Sequence, residues 1–433
     1  MLKSYGSTSV NTLLRLVQQS PFLKYNAVFF FGNLGVAVLN YLFYPVLGRL
    51  MTPSDFGEVQ ALFALYMQAT ILLNILSLIT IHTTVEVPEI DKSNQILAGL
   101  ERFALIVTVS FVGLGLLFVG QLRDFLHFSD VKPFVALLLA VLISVPLVFR
   151  MAFLRGRKMF ARSVIIDGAG SAAKLVIGPV LVIMGYKTFG AVAGLAISQV
   201  ISLGIGIWWA SQAGLKGSAL NKSVELKQIY PQLRYGLAIF VASSVITGLL
   251  SMDIIAAKHY FSPYDAGLYA GISTVARIVY FLVAPLTGVL ITMVSARQSM
   301  AKNRLRLSGS LVLIGSIGGF ALIVLTIFPR LIIKLLVGSK YLAYADYLPR
   351  LGLVMLVLSF TNALLLYGIA LKRFYLNRSA VIALLGTILL LYINHSHVKD
   401  VINNLLIGTS WLAIVLAWQI FIKPTNSMEE KNG

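Results

Sequence analysis

Two stretches, "MTPSDFGEV" from Met51 to Val59 and "FSPYDAGLY" from Phe261 to Tyr269, decide how this sequence is organised. Both follow the order hydroxyl–Pro–x–Asp–x–Gly, and equivalent residues such as Pro53 and Pro263 are 210 positions apart. The hydroxyl residue can cap a helix, proline suits the first helical position, and aspartate in the first turn faces the positive end of the helix dipole. Each stretch therefore predicts a tight helix-to-helix corner, and the pair predicts an internal repeat.

The composition indicates a membrane protein. The chain is 58% hydrophobic and only 12% charged, whereas a soluble domain holds about 25% charged residues. Apolar runs of roughly 20 residues, the length of a membrane-spanning helix, recur along the chain. Strict two-residue alternation is missing, so the runs predict helices and not barrel strands. We count twelve such runs, at 26–48, 58–81, 103–122, 133–149, 163–185, 188–211, 235–257, 267–294, 309–329, 350–371, 379–394 and 401–422.

The longest connection divides these runs into six and six. It covers 212–234, and each corner lies between the first and second run of its half. The sequence thus predicts an all-α polytopic membrane protein with about 12 transmembrane helices in two pseudo-symmetric six-helix bundles. The expected organisation is a cytoplasmic N-terminal segment 1–25, an N-terminal bundle 26–211, a cytoplasmic linker 212–234, a C-terminal bundle 235–422 and a cytoplasmic tail 423–433.

The net charge of +19 follows the expected topology. The segments on the side of the N-terminus hold 23 Lys and Arg residues, and those on the opposite side hold 10. This bias predicts that both termini are cytoplasmic, and it explains the basic charge without nucleic acid as a partner. One outer segment departs from the rule, because "PRLIIKLLVGSKYLAYADYLPR" from Pro329 to Arg350 holds four basic residues.

Several classes of chemistry lack their sequence signals. The chain has no cysteine, which excludes disulfides and cysteine-based metal sites, and it has no Walker-type nucleotide loop. Its connections leave no room for an extramembrane catalytic domain. The pair His395 and His397 has a spacing that could suit a metal, but an isolated H-x-H is more typical of a polar turn. We therefore expect no enzyme activity, no metal and no cofactor.

The segments around the two corners resemble a known family. "LGRLMTPSDFGEVQALFALYMQ" and "DIIAAKHYFSPYDAGLYAGISTVARIVYFLVAPL" are similar to the signature segments of the polysaccharide transporter, or O-antigen flippase, family of the MATE/MOP superfamily. The resemblance implies a multi-pass protein of the bacterial inner membrane that moves a lipid-linked oligosaccharide to the outer leaflet. It also implies a central cavity lined chiefly by spans 1, 2, 7 and 8. The implied partners are the lipid-linked oligosaccharide, membrane lipids, and polysaccharide polymerase and chain-length proteins.

The clearest candidate for substrate contact is Arg277. Tyr269, Ser273, Arg277 and Tyr280 share one helical face of span 8. An arginine near mid-membrane costs at least about 2.5–3.5 kcal/mol on insertion scales, so it should face a wet cavity or a partner. Its planar fork suits a pyrophosphate. A structural ion pair or a clamp on backbone carbonyls is the alternative interpretation.

Other polar residues in the apolar runs extend the candidate set. Lys174 in span 5 could attract a phosphate, although snorkelling or internal pairing would also place a lysine there. Amides and phenols could bind sugar hydroxyls, and asparagine also joins membrane helices to one another. Asp253 is a weak candidate for ion coupling because it lies near the end of span 7, where we expect it to be solvated or to cap the helix. The remaining candidates for sugar contact are Asn33, Asn40, Tyr44, Gln68 and Asn74.

Two other functions remain open beside the flippase. A multidrug or small-solute exporter of the same superfamily would need a buried acid for cation coupling, and Asp253 is the only nearby candidate. A membrane oligosaccharide polymerase is disfavoured by the missing catalytic loop and by the scarcity of outer carboxylates.

Overall fold

The computed structural model describes residues 21–87, 89–215, 230–295 and 298–422. The predicted N-terminal segment, most of the predicted linker and the predicted tail lie outside these ranges. Within them the regular structure is helical. The α-helices are α1 (Pro21–Leu50), α2 (Pro53–Ala69), α3 (Ile71–Glu86), α4 (Ile90–Leu117), α5 (Val119–Phe125), α6 (Lys132–Gly156), α7 (Phe160–Leu181), α8 (Lys187–Gln212), α9 (Tyr230–Tyr260), α10 (Pro263–Met293), α11 (Met300–Ile327), α12 (Pro329–Leu336), α13 (Leu348–Ala370), α14 (Leu376–Ile393) and α15 (Val398–Phe421).

All twelve predicted runs are helical over nearly their whole length, which confirms the all-α membrane fold. The runs 103–122 and 309–329 extend past the ends of α4 and α11 into the short helices α5 and α12. Eleven helical stretches of the described chain are long and apolar enough to cross a membrane. One of them, Phe160–Gln212, is 53 residues long and contains two helices, α7 and α8, joined by a π-helical turn at Val182–Tyr186. The second run is also divided, because α2 ends at Ala69 and α3 begins at Ile71.

Both corners have the predicted caps. The Thr52 hydroxyl accepts from the amide of Asp55 at 3.2 Å and donates to the Asp55 carboxylate at 2.8 Å. In the second corner Ser262 makes the same two bonds with Asp265, at 3.2 and 2.6 Å. Since Pro53 and Pro263 each begin the helix that follows, the corner residues satisfy the helix termini in the way that the sequence predicts.

The corner glycines allow the two corners to touch. A Cβ atom added to Gly57 would lie 2.9 Å from the Cα of Gly267, and one added to Gly267 would lie 1.8 Å from the carbonyl oxygen of Pro53. Any side chain at Gly267 would therefore collide with backbone. The corner glycine is thus required by close helix packing of α2 against α10, since neither glycine has a positive φ.

The described chain forms two compact units. Unit 1 comprises the described parts of 1–45, 73–118 and 132–226, where α8 packs on α6 and α7 around buried residues such as Leu154 and Ile166. Unit 2 comprises the described parts of 46–72, 119–131 and 227–433, where α10 packs on α2 and α13. Both corners therefore belong to unit 2, although they come from different halves of the sequence.

Candidate functional site

Arg277 lies in a buried polar cluster in unit 2. Its NH2 group donates to the carboxylate of Asp253 at 3.0 Å and to the carbonyl of Leu250 at 2.8 Å. Asp253 also accepts from the hydroxyls of Ser273 at 2.6 Å and Tyr269 at 3.2 Å. We call Arg277, Asp253, Tyr269 and Ser273 the Arg277 cluster. It contains three of the four residues predicted to share one face of span 8, and that face is directed at α9.

The helical hairpin explains how the cluster forms. The corner at Phe261 joins α9 to α10, so residues equally distant from it lie side by side. Asp253 and Tyr269 are each eight residues from Phe261. Side chains on a helix lean toward its N-terminus, which for α10 is the corner, and Arg277 thereby reaches back toward Asp253.

The structure corrects the expected position of Asp253. We expected a solvated or capping group near the end of span 7, but its side chain is 0% exposed and forms an ion pair with Arg277. The expected span end was wrong because α9 continues to Tyr260, so Asp253 lies two turns inside the helix. A buried carboxylate requires such compensation, because an unpaired charge is costly away from water.

One part of the Arg277 guanidinium remains unengaged. Both bonds use the NH2 group, while Nε is buried and has no hydrogen-bond partner among the described residues. The side chain keeps 10% of its exposure. Arg277 is therefore both an ion-pair partner, as the alternative interpretation held, and a cation with donor capacity left.

Two further candidates of unit 2 lie apart from these bonds. Tyr280 is buried, with its ring edge-on to Phe281. Gln68 donates from Nε2 to the hydroxyl of Ser251 at 3.1 Å, and Ser251 donates to the carbonyl of Thr247 at 2.6 Å. This places Gln68 of α2 against α9 and gives its amide a structural bond.

Lys174 forms a second buried cluster, in unit 1. Its Nζ donates to the amide oxygen of Asn40 at 2.5 Å and lies 4.9 Å from the centroid of the Phe43 ring. Asn40 in turn donates to the hydroxyl of Ser171 at 2.8 Å. We call Lys174, Asn40, Phe43 and Ser171 the Lys174 cluster. Within the described ranges, no carboxylate pairs with Lys174, which is only 7% exposed.

The other sugar-contact candidates are not gathered into either cluster. Asn33 and Tyr44 are half-buried along α1, and Asn74 is exposed on α3. The Tyr44 ring packs edge-on against Phe43, at 5.8 Å between centroids. Their contact with substrate stays a prediction.

A third charged group, which the sequence did not predict, lies at the corner end of unit 2. Glu58 and Lys258 are 5% and 1% exposed, with 3.9 Å between Oε1 and Nζ. Lys258 also lies over the Phe128 ring, 5.0 Å from its centroid. The predicted end of span 7 at 257 left Lys258 in a loop. The pair could have been predicted from the sequence, because Glu58 and Lys258 have opposite charges and both lie a few residues from a corner, on its membrane side.

The histidine pair has structural contacts. The His395 ring stacks on Tyr260 with 3.7 Å between centroids, and His397 caps α15 through Asp400. Across the described part of the chain, no group of three His, Cys, Asp or Glu side chains is placed to hold a metal ion.

Comparison with known proteins gives a family and a fold. A family model described as "Polysaccharide biosynthesis protein" matches residues 22–298. None of the curated proteins compared with this sequence matches it.

Solved structures share the fold at low identity. An inward-facing multidrug resistance MATE family transporter of the MOP superfamily is 15% identical, with a TM-score of 0.70 over 88% of this chain and 93% of that one. The lipid II flippase MurJ in an inward closed conformation is 13% identical, with a TM-score of 0.67 over 92% and 88%. A eukaryotic MATE transporter is 12% identical, with a TM-score of 0.60 over 92% and 97%.

Proposed function

Because this chain belongs to the polysaccharide biosynthesis protein family, we propose that it is a flippase for a polyprenyl-(pyro)phosphate-linked oligosaccharide. It would move this lipid from the inner to the outer leaflet of the bacterial inner membrane by alternating access, without a covalent intermediate. The fold that it shares with MATE transporters and with MurJ supports a transport role. The numerous apolar helices agree with a multi-pass protein.

The observation that carries the proposal is the state of Arg277 in the middle of α10. A lipid-linked oligosaccharide carries a phosphate or pyrophosphate, and moving that charge through hydrocarbon unpaired is prohibitive. Arg277 keeps a buried Nε with no partner in the described chain, so its guanidinium can donate to a phosphate oxygen beside Asp253. The Asp253 carboxylate weakens this binding, and modest binding favours release on the outer side.

Lys174 supports the same role from unit 1. Its ammonium group is held by an amide oxygen and an aromatic ring, and in the described part of the chain no carboxylate pairs with it. A buried ammonium without a counter-charge is costly in a membrane-spanning helix. A substrate phosphate would supply that counter-charge during transport.

The proposal is tested with purified protein in liposomes that hold a fluorescent polyprenyl-pyrophosphate oligosaccharide. The fraction of lipid exposed to an added glycosidase measures flipping. Lys174→Met should lower the rate at least tenfold at unchanged protein abundance. Lys302→Met is the matched control, because Lys302 is an exposed lysine near the start of α11.

Two outcomes would contradict the proposal, one for the role of Lys174 and one for the substrate. If Lys174→Met flips the lipid at the rate of the control, the phosphate-pairing role is wrong. If wild-type protein does not flip the lipid at all, while it carries out another transport reaction, the substrate assignment is wrong.

A small-solute exporter of the same superfamily is the second candidate, and one observation favours it. Asp253 is fully buried, which is the position that a cation-coupled carrier needs for its acid. Under this alternative, ethidium efflux driven by a cation gradient should depend on Asp253, and Asp253→Asn should abolish it. A flippase would give no ethidium efflux in either form.

A further inference from the structure

The repeat extends beyond the two corners. In each half, a short helix follows the third span: α5 begins at Val119, and α12 begins at Pro329, 210 positions later. We name residues 119–131 the first clasp and residues 329–347 the second clasp. Both clasps lie in unit 2, together with the two corners.

The second clasp binds the end of the first span of the other half. Lys340 Nζ donates to the carbonyls of Arg49 at 3.0 Å and Met51 at 2.9 Å, and the Tyr341 hydroxyl donates to the carbonyl of Gly48 at 3.2 Å. The Arg49 guanidinium donates in return to the carbonyl of Leu335. The last carbonyls of a helix lack intrahelical partners and carry the negative end of its dipole, so a cation is favoured there. This accounts for Lys340, one of the four basic residues in the segment that departs from the positive-inside rule.

The second clasp also contacts both corners. The Tyr344 hydroxyl donates to Asp265 at 2.9 Å, and the buried Tyr341 ring meets Phe56 edge-on at 5.8 Å. Gly271 makes room for that ring, because a Cβ there would lie 2.2 Å from Tyr341 Cδ1. The segment therefore joins α2 and the last residues of α1 (46–50) to α10 at the corner end.

The first clasp makes the equivalent contact with the end of the first span of the second half, α9. His259 Nδ1 hydrogen-bonds the carbonyl of Phe125 at 2.7 Å, and the two rings stack at 3.9 Å between centroids. Adding 210 to Arg49 gives His259, and adding 210 to Phe125 gives Leu335. The bond from His259 to the Phe125 carbonyl thus repeats the bond from Arg49 to the Leu335 carbonyl.

We propose that the two clasps are a paired gate that holds the corner end of unit 2 closed, each clasp of one sequence half gripping the first span of the other. The corners touch through Gly57 and Gly267 with backbone in contact, so the corner end cannot open until that contact parts. When that contact separates, α2 and the last residues of α1 (46–50) move away from α9 and α10, and the bonds of both clasps break. The gate is independent of which substrate the protein transports.

The gate is tested by the labelling rate of one cysteine. Ala266 is 2% exposed beneath the corner contact, and the chain has no cysteine of its own, so Ala266→Cys reports opening to a water-soluble maleimide in nanodiscs. Arg49→Met and His259→Leu each remove the equivalent bond, and each should raise the labelling rate about tenfold. Lys334→Met, an exposed change within the second clasp, is the matched control and should leave the rate unchanged. Equal rates in the variants and the control would overturn the gate.

A disulfide that locks the second clasp in place tests the opposite change, a slower opening of the corner end. A Cβ added to Gly48 would lie 3.3 Å from the Cβ of Val337, close to the roughly 3.5–4.5 Å that a disulfide requires. Oxidised Gly48→Cys/Val337→Cys should therefore lower the labelling of Ala266→Cys at least tenfold. Labelling as fast as without the disulfide would show that the second clasp does not control the corner end, even if Arg49→Met and His259→Leu prove too unstable to purify.

Discussion

Arg277→Ala should destabilise the protein far more than removal of the whole ion pair does. The Asp253 carboxylate is 0% exposed in the wild type, and without Arg277 its remaining donors among the described residues are the hydroxyls of Ser273 and Tyr269. Removing one partner of a buried ion pair costs about 3–5 kcal/mol, because the other charge stays uncompensated. The bond to the Leu250 carbonyl adds about 1 kcal/mol to the loss.

The double variant Arg277→Met/Asp253→Asn should regain most of that stability. It removes both charges, and neutral side chains of similar volume replace a buried pair at little cost. The amide that replaces the Asp253 carboxylate is not left without partners, since its oxygen can accept from Ser273, which donates to the carboxylate at 2.6 Å in the wild type. We expect the double variant to lie within about 2 kcal/mol of the wild type, and therefore to be more stable than Arg277→Ala.

Reversible unfolding in mixed micelles with increasing SDS measures the stabilities of the wild type, Arg277→Ala and the double variant. If Arg277→Ala is no less stable than the double variant, the ion pair is not what stabilises the cluster, and the reasoning fails. The double variant also isolates function, because it lacks the cation at near-native stability. Transport that persists in it would exclude Arg277 from phosphate pairing.

Three further predictions concern the corner end and the topology. Gly267→Ala places a Cβ against the Pro53 carbonyl, 1.8 Å away without relaxation, so it should keep the corners apart and raise the labelling of Ala266→Cys; an unchanged rate would mean that the backbone shifts freely. Glu58→Gln leaves the buried Lys258 without its carboxylate and should lower stability by about 3 kcal/mol, and adding Lys258→Met should restore that stability. Thermal unfolding in detergent measures the single and the double variant, and equal midpoints for the two would contradict the prediction. A cysteine at Ser54 should react with an impermeant reagent added outside whole cells, and reaction only after the inner face is exposed would reverse the topology.

The helices and their caps could be predicted from the sequence because their causes are local. Apolar runs of sufficient length form helices in a membrane, and Thr52 and Ser262 cap the helices that follow them with the predicted geometry. The shared face of Tyr269, Ser273 and Arg277 could also be predicted, since it follows from helical periodicity alone.

The partners of those residues could not be predicted in the same way. Helical periodicity predicts which residues share a face, but it does not predict which helix that face contacts. Predicting the pairing of Arg277 with Asp253 also required the correct end of α9. Counting equal distances from the corner at Phe261 would have placed Asp253 beside Tyr269. The contacts of Lys340 required long-range packing, because they join positions 289 and 291 residues apart.

The paired clasps give a physical reason for the repeated corner. In a duplicated chain, a contact that one half makes to the other is available twice, so a closed end can gain a second copy of a bond without any additional segment. The bonds of Arg49 to Leu335 and of His259 to Phe125 are such copies. Because the copies lie on separate segments, loss of one leaves the other in place, and the two free-energy losses should add. Arg49→Met and His259→Leu combined should therefore raise the labelling of Ala266→Cys by about the product of their separate factors. A combined effect no larger than either single effect would mean that one clasp alone determines closure and that the duplication serves only the corners.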